Sequence, residues 1–263
     1  DRRRMNREAL AAARRAISEG RIVAVKGIGG FHLCCDAKNE EAVARLRLLK
    51  NRPMKPFAVM MKDMETVRRE CSFGYGLGYL MTGLSSSGEI PDEKEIAPLL
   101  TGHQKPIVLL EKSPDSTLAP SVAPDNPSVG VMLPYTPVHM LLFDYDDEYE
   151  ISDSLIMTSA NVSGAPICRT DENVQDEIAL FTDLALSNNR TIRTRADDTV
   201  MDFYKGRPYM IRRSRGFAPL PIMINSDVQG QVLAIGGELK NTFCIAKNGL
   251  LYPSAYVGDM ADI

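Results

Sequence analysis

Strand-length apolar runs outnumber the helices that could carry the backbone between parallel neighbours, and this imbalance restricts the fold most. IVAVK (22–26), FAVMM (57–61), PIVLL (106–110), VGVMLP (129–134) and LIMTS (155–159) read as buried strands, and ALSNN, DTVMDF and YMIRRS continue the series. Helical spacing covers 6–19, where Leu10, Ala13 and Ile17 share a face that Gly20 closes. It recurs over 39–50 through Val43, Leu46 and Leu49, with Asn39 as N-cap. Shorter helices fit 63–71, capped by Asp63, then 137–143, and 171–181 with its acidic first turn. Parallel neighbours need a crossover of a dozen or more residues, usually helical. Several of these strands follow one another without one. The expectation is an α+β fold, a mixed parallel and antiparallel sheet covered by helices.

The remaining segments set the expected organisation. Residues 216–230, Pro-rich and then polar, read as a linker; beyond them two strands flank the Lys247-Asn248-Gly249 turn as a β-hairpin. The Gly- and Ser-rich stretch 72–88 reads as a loop or lid, and the acidic run 144–150 as a solvated loop. At 263 residues the chain fits one large domain or a domain plus a fragment. It opens without Met and stops without a terminating signal, which suggests a piece of a longer protein. A net charge of −3 gives no bulk signature for nucleic acid, and no apolar run is long enough to span a membrane. The five Cys, at 34, 35, 71, 168 and 244, show neither C-x-x-C nor zinc-type spacing with the three His, so free thiols and no zinc are expected.

Three motifs could carry chemistry. In LRLLKNRPMKPFAVM (46–60), Arg47, Lys50, Arg52 and Lys55 precede a strand. Lys50 and Arg52 read either as anion capture, a point charge beside a planar fork, or as cations complementing a helix C-terminus. In MTSANVSG (157–164), Thr158, Ser159, Asn161 and Ser163 follow a strand; they read as an oxygen-rich ligand site or as turn chemistry. Lys26 through Gly30 runs a strand into glycines that could cradle phosphate, although neither G-x-G-x-x-G nor G-K-[ST] is present. His32 and His139 read as core or rim residues, and Asp197–Asp198 as magnesium ligands or a strand-end turn.

In order, KGIGGFHLCCDA, LKNRPMKPFAVM, KPIVLL, VGVMLPYTPVHMLLF, MTSANVSG, RADDTVM and MIRRSRGFAP resemble the YrdC-like domain of the HypF carbamoyltransferases, over nearly residues 8–220. The tail GGELKNTFCIAKNG resembles the start of the next HypF domain, a TsaD-like, actin-like ATPase fold. The resemblance implies a three-layer YrdC-like fold with a concave basic cleft over 1–216, a linker over 217–230, and the opening of the second domain over 231–263. It implies carbamoyl-adenylate formation from ATP and carbamate, the carbamate coming from carbamoyl phosphate. Mg2+ would accompany the triphosphate. Transfer to the C-terminal Cys of HypE, in cytoplasmic maturation of nickel–iron hydrogenases, would come next. The family's K-x-R and S-x-N tetrad falls on Lys50, Arg52, Ser159 and Asn161. Lys50 and Arg52 would offset repulsion between carbamate and triphosphate and stabilise departing pyrophosphate; Ser159 and Asn161 would hydrogen-bond phosphate or carbamoyl oxygens. Lys26, Gly29, Gly30, His32, Lys55, Thr158, Ser163, Arg195, Asp198 and Arg212 complete the expected binding set. The family's acylphosphatase and zinc-finger segments are not in this sequence, so full transfer is not expected of it alone.

Three other readings compete. One is a threonylcarbamoyl-adenylate synthase of tRNA modification, against which the KGIGGFHL start and GGELKN tail count. Another is a non-catalytic RNA-binding module, which the acidic balance disfavours. The last is a docking scaffold for further domains.

Overall fold

The computed structural model describes residues 5–73, 91–162, 164–225, 230–237, 241–254 and 257. Most of the 72–88 segment and Ser163 therefore lie outside the described residues. Six α-helices are described: α1 (Asn6–Ser18), α2 (Glu40–Leu49), α3 (Met64–Glu70), α4 (Glu93–Thr101), α5 (Pro137–Phe143) and α6 (Asp171–Glu177). The strands are β1 (Val23–Lys26), β2 (Phe31–Asp36), β3 (Ala58–Met61), β4 (Ile107–Glu111), β5 (Ser128–Met132), β6 (Ser154–Ser159), β7 (Leu184–Leu186), β8 (Val200–Tyr204), β9 (Arg207–Arg212), β10 (Ile222–Met223), β11 (Gln231–Ile235), β12 (Phe243–Lys247) and β13 (Leu250–Pro253).

Nine strands form one sheet in the order β7-β1-β2-β6-β3-β5-β4-β8-β9. Pairs β1/β7, β3/β5 and β4/β8 are parallel and the others antiparallel, the mixed sheet that the missing crossovers require. Side chains alternate across its two faces. Val23, Val25, Cys34 and Met157 pack with Leu10, Ala13 and Ile17 of α1 and Leu142 of α5. Ala24, Leu33, Cys35 and Ile156 pack with Val43 and Leu46 of α2, Val67 of α3, Ile96 of α4 and Val174 of α6. Helix, sheet, helix gives three layers. The adjacent Cys34 and Cys35 consequently face opposite layers, and burial raises both thiols above their ordinary range.

The helix starts match their caps. Asn39 Oδ1 accepts from Ala42 N at 3.0 Å and Asp63 Oδ1 from Thr66 N at 2.8 Å, each worth about 1 kcal/mol. The last predicted helix stops four residues early. Ile178, fully buried, leaves helical geometry at φ −128, and Phe181 N–H closes a turn onto its carbonyl. Helix α4 was not anticipated; the reciprocal Asp92–Glu95 capping box starts it despite Pro98 inside.

The tail departs from a lone hairpin. The Asn248-Gly249 turn is present, both residues at positive φ (52 and 71), but β10, β13, β12 and β11 form a four-stranded antiparallel sheet. Strand β10 comes from within the stretch expected to be a linker, because Ile222 and Met223 pair with Leu251 and Leu250.

Candidate functional site

Lys50 is the C-cap of α2, and Asn51 then takes φ +45, turning the chain towards β3. Buried Arg47 pins the segment from Arg52 to Phe57. Its guanidinium donates to the carbonyls of Ser121, Val122, Arg52, Pro53 and Lys55, and it stacks 4.6 Å over the Phe57 ring. Sequence reasoning counted Arg47 only as one cation of four; its signal was helical register with Val43, on the buried side.

The fixed turn brings Lys50 to the end of β6. Lys50 Nζ donates to Ser159 O (2.8 Å), Asn161 O (3.0 Å) and Asn161 Oδ1 (3.3 Å). Ser159 Oγ donates to Asn161 Oδ1 at 2.8 Å, and Asn161 Nδ2 to Ala165 O at 2.7 Å. Three tetrad members, Lys50 and Ser159 being 109 positions apart, thus form one hydrogen-bonded unit. Arg52 stands beside it, its Nε donating to Lys55 O at 3.0 Å, its Nη2 to Pro56 O, and its guanidinium 5.0 Å over Phe57.

Charge is concentrated here. Burial, reinforced by Arg52 and Lys55, depresses Lys50 to about 8; burial, reinforced by Arg47 and Arg212, depresses Arg52 to about 10. Lys50 and Arg195 both act on the thiol of Cys168, which burial nonetheless pushes up to about 12. Arg195 Nε is buried without a hydrogen-bond partner among the described residues. Lys50, Arg52, Lys55, Arg195 and Arg212 are therefore gathered around the ends of α2 and β6. Such a cluster suits a polyanion.

Other expected residues are placed differently. Lys26 Nζ is engaged by Asp171 Oδ1 (3.4 Å) and Asn188 O (3.0 Å). Thr158 is buried within β6 opposite Leu33. Gly29 and Gly30 serve close packing: a Cβ on Gly29 would stand 2.2 Å from Ala196 O, and one on Gly30 2.6 Å from the Ile167 side chain. His32 and Asp198 do not present themselves to a ligand. His32 Nε2 meets Asp198 Oδ2 at 2.9 Å and Arg215 Nε donates to Asp198 Oδ1 at 2.7 Å, with all three residues buried. Burial opposes the Asp198 charge, yet His32 and Arg215 more than offset it and hold the carboxyl well below its usual range. With both oxygens taken, Asp198 does not fit a magnesium ligand; among the described residues no cluster of His, Cys, Asp or Glu does. Arg212, which acts on Arg52, also donates from Nε to the backbone carbonyl of Asp198 at 2.8 Å. Arg215 was missed, whereas His139 is the core residue it was read as. His139 is fully buried with neither ring nitrogen hydrogen-bonded among the described residues, and burial, then His32 and Arg215, lowers it to about 3.

A three-layer mixed sheet with a cation cluster between its second helix and sixth strand defines a class: the chain belongs to the Sua5/YciO/YrdC family. Residues 15–214 match that family, which carries the description telomere recombination, and residues 227–263 match the HypF Kae1-like domain. Its relatives at higher identity are HypF proteins. Carbamoyltransferase HypF of Synechocystis sp. is 39% identical over 254 residues, covering 96% of this chain and 30% of that protein. A crystal structure of full-length HypF in the phosphate- and nucleotide-bound form superposes with TM-score 0.82 at 42% identity, covering 96% of this chain and 36% of that one. The Sua5 structure from P. abyssi complexed with L-threonine has TM-score 0.62 at 21% identity, covering 81% and 56%, and shares the fold. The chain thus spans about a third of the length of the HypF proteins it matches.

Proposed function

We propose that this chain is the nucleotide-activating part of a HypF-type carbamoyltransferase, forming carbamoyl-adenylate from ATP and carbamate. The carrying observation is the Lys50–Ser159–Asn161 unit with Arg52 alongside: Lys50 buried and lowered by burial and by Arg52, Arg52 half-buried and lowered by burial and by Arg47 and Arg212, and no carboxylate bonded to either among the described residues. A carbamate oxygen would bond to the α-phosphorus as the bond to the bridging oxygen of pyrophosphate breaks. Two anions must approach and a third must leave, so fixed positive charge lowers the barrier. Lys50 and Arg52 supply it, Lys55, Arg195 and Arg212 extend it, and Ser159 holds Asn161 in place. The chemistry needs positioning rather than a protein nucleophile. The buried thiols, Cys168 included, are raised and so poorly suited to attack.

Mg2+ would travel on the triphosphate. The carbamate would come from carbamoyl phosphate. The carbamoyl group would pass through a Kae1-like domain to the C-terminal Cys of HypE during hydrogenase maturation, in the cytoplasm. Among the described residues no helix is long and apolar enough to cross a membrane.

The test is ATP-dependent pyrophosphate release with carbamate, with threonine plus bicarbonate, or with neither, using Lys50→Ala as control. Release with carbamate that disappears in Lys50→Ala is expected. Release only with threonine and bicarbonate would move the protein to tRNA modification.

A further inference from the structure

The loop joining β7 to β8 builds a second concave site. Residues 187–197 form no helix or strand, yet they are fastened at several points. Ala196 N donates to Gly29 O at 3.0 Å, Arg190 N to Asn188 Oδ1 at 3.1 Å, and Arg169 Nη1 to Arg193 O at 3.4 Å. Between this loop, the β1–β2 glycine turn and the backbone after Arg215 lies a cavity of about 470 Å³. That size suits a small molecule.

Its chemistry is cationic. Arg190, Arg193 and Arg215 line it with Thr191 and Thr194, backed by Ile28, and no described Asp or Glu does. Arg215 is a rigid base. Asp198 holds its Nε, its Nη1 and Nη2 donate to the Gln104 and Lys105 carbonyls at 3.0 and 2.7 Å, and it lies 3.5 Å over the Tyr135 ring. Its charge is offset by Asp198. Arg190 and Arg193 differ: both are exposed, and neither guanidinium has a hydrogen-bond or ion-pair partner among the described residues. Two uncompensated forks beside two hydroxyls match a dianionic oxyanion, since Arg binds phosphate oxygens bidentately. The tetrad contrasts with this, because Lys50 Nζ already donates to three protein oxygens and Asn161 Nδ2 to one.

We propose that this cavity is a separate oxyanion site that takes a phosphate-bearing small molecule, gripped by Arg190 and Arg193 with Thr191 and Thr194. The site stands whether or not the adenylation reading holds, and its test reads position directly. Phenylglyoxal modifies exposed arginines, and mass spectrometry reports each one. Inorganic pyrophosphate, against sodium chloride of equal ionic strength, is expected to slow modification of Arg190 and Arg193 at least fivefold. The protection should be equal in wild type and Lys50→Ala. By calorimetry in the Lys50→Ala background, which removes a cation from the adenylation site, Arg190→Ala/Arg193→Ala should bind pyrophosphate at least tenfold more weakly than Lys50→Ala alone. If that variant does not fold, Thr194→Val and Arg193→Lys replace it, with a threefold loss expected. Absence of protection at both arginines, protection confined to Arg52 and Arg212, or protection lost in Lys50→Ala would each overturn the proposal. Failure of the adenylation reading would instead appear as no pyrophosphate release from ATP.

Discussion

The Lys50 ammonium ties function to pH in a direction opposite to stability. Its folded pKa is about 8 against an ordinary 10.5, chiefly through burial. The protonated fraction therefore falls from about nine-tenths at pH 7 to about one-tenth at pH 9. If the charged form receives the triphosphate, ATP affinity should fall about tenfold over that interval, with proton uptake on binding above pH 8. Between pH 8 and 10.5 the unfolded chain holds the extra proton, so this group's contribution to stability rises with pH. Lowering from 10.5 to about 8 corresponds to about 3 kcal/mol. Binding should weaken while deprotonated Lys50 firms the fold, which separates the effect from denaturation. The assay is ATP titration by calorimetry in two buffers of different ionisation heat from pH 6.5 to 9.5, with urea melts of wild type and Lys50→Met over the same range. Flat ATP affinity from pH 7 to 9, or a wild-type minus Lys50→Met stability difference that does not move in favour of wild type as pH rises, would refute the reasoning.

Other consequences are more local. Gly29→Ala forces a Cβ to within 2.2 Å of the Ala196 carbonyl, so it should destabilise by about 1–3 kcal/mol in a urea melt. Asp198→Asn leaves the buried Arg215 guanidinium without its carboxylate and should cost about 3–5 kcal/mol. Because the folded Asp198 carboxyl titrates well below its ordinary value, its stabilisation is complete above the usual carboxylate range and is lost as pH falls beneath it, so the wild-type advantage over Asp198→Asn should shrink on acidification. Iodoacetamide at neutral pH should label Cys244, which is half-buried, and spare Cys34, Cys35, Cys71 and Cys168, as peptide mapping would show.

What the sequence made legible was local or periodic. Asn39 and Asp63 cap their helices through side-chain oxygens that the capping rules assign directly, and helix Pro137–Phe143 begins at the proline that starts it. The mixed sheet came from counting crossovers. What stayed hidden was long-range pairing. Nothing near Asp198 announces that His32 and Arg215 will take both of its oxygens, because those residues are 166 and 17 positions away and meet only through sheet pairing. Arg193 belongs to no motif of the sequence; the cavity it lines depends on Gly29, far off in sequence, accepting Ala196 at close range. The linker became partly strand because Ile222 and Met223 found partners in β13, a choice that 216–230 alone does not encode.

The tetrad also shows why a motif residue need not be only a ligand contact. Lys50 joins the end of α2 to the end of β6 through three oxygens, in a region that Arg47 has already fixed. Removing the ammonium would leave acceptors at Ser159 and Asn161 without their donor, about 1–3 kcal/mol for each buried group left unpaired. Lys50→Ala would therefore loosen the loop 159–161 as well as remove a charge, and lost activity in that variant alone would not separate the roles. The pH experiment does, since deprotonating Lys50 removes its charge without removing its side chain. Ser159→Ala gives the complementary test. It deletes the 2.8 Å donor to Asn161 Oδ1 but leaves the carbonyl that Lys50 holds, so a catalytic loss there at unchanged melting temperature would assign Ser159 to positioning Asn161.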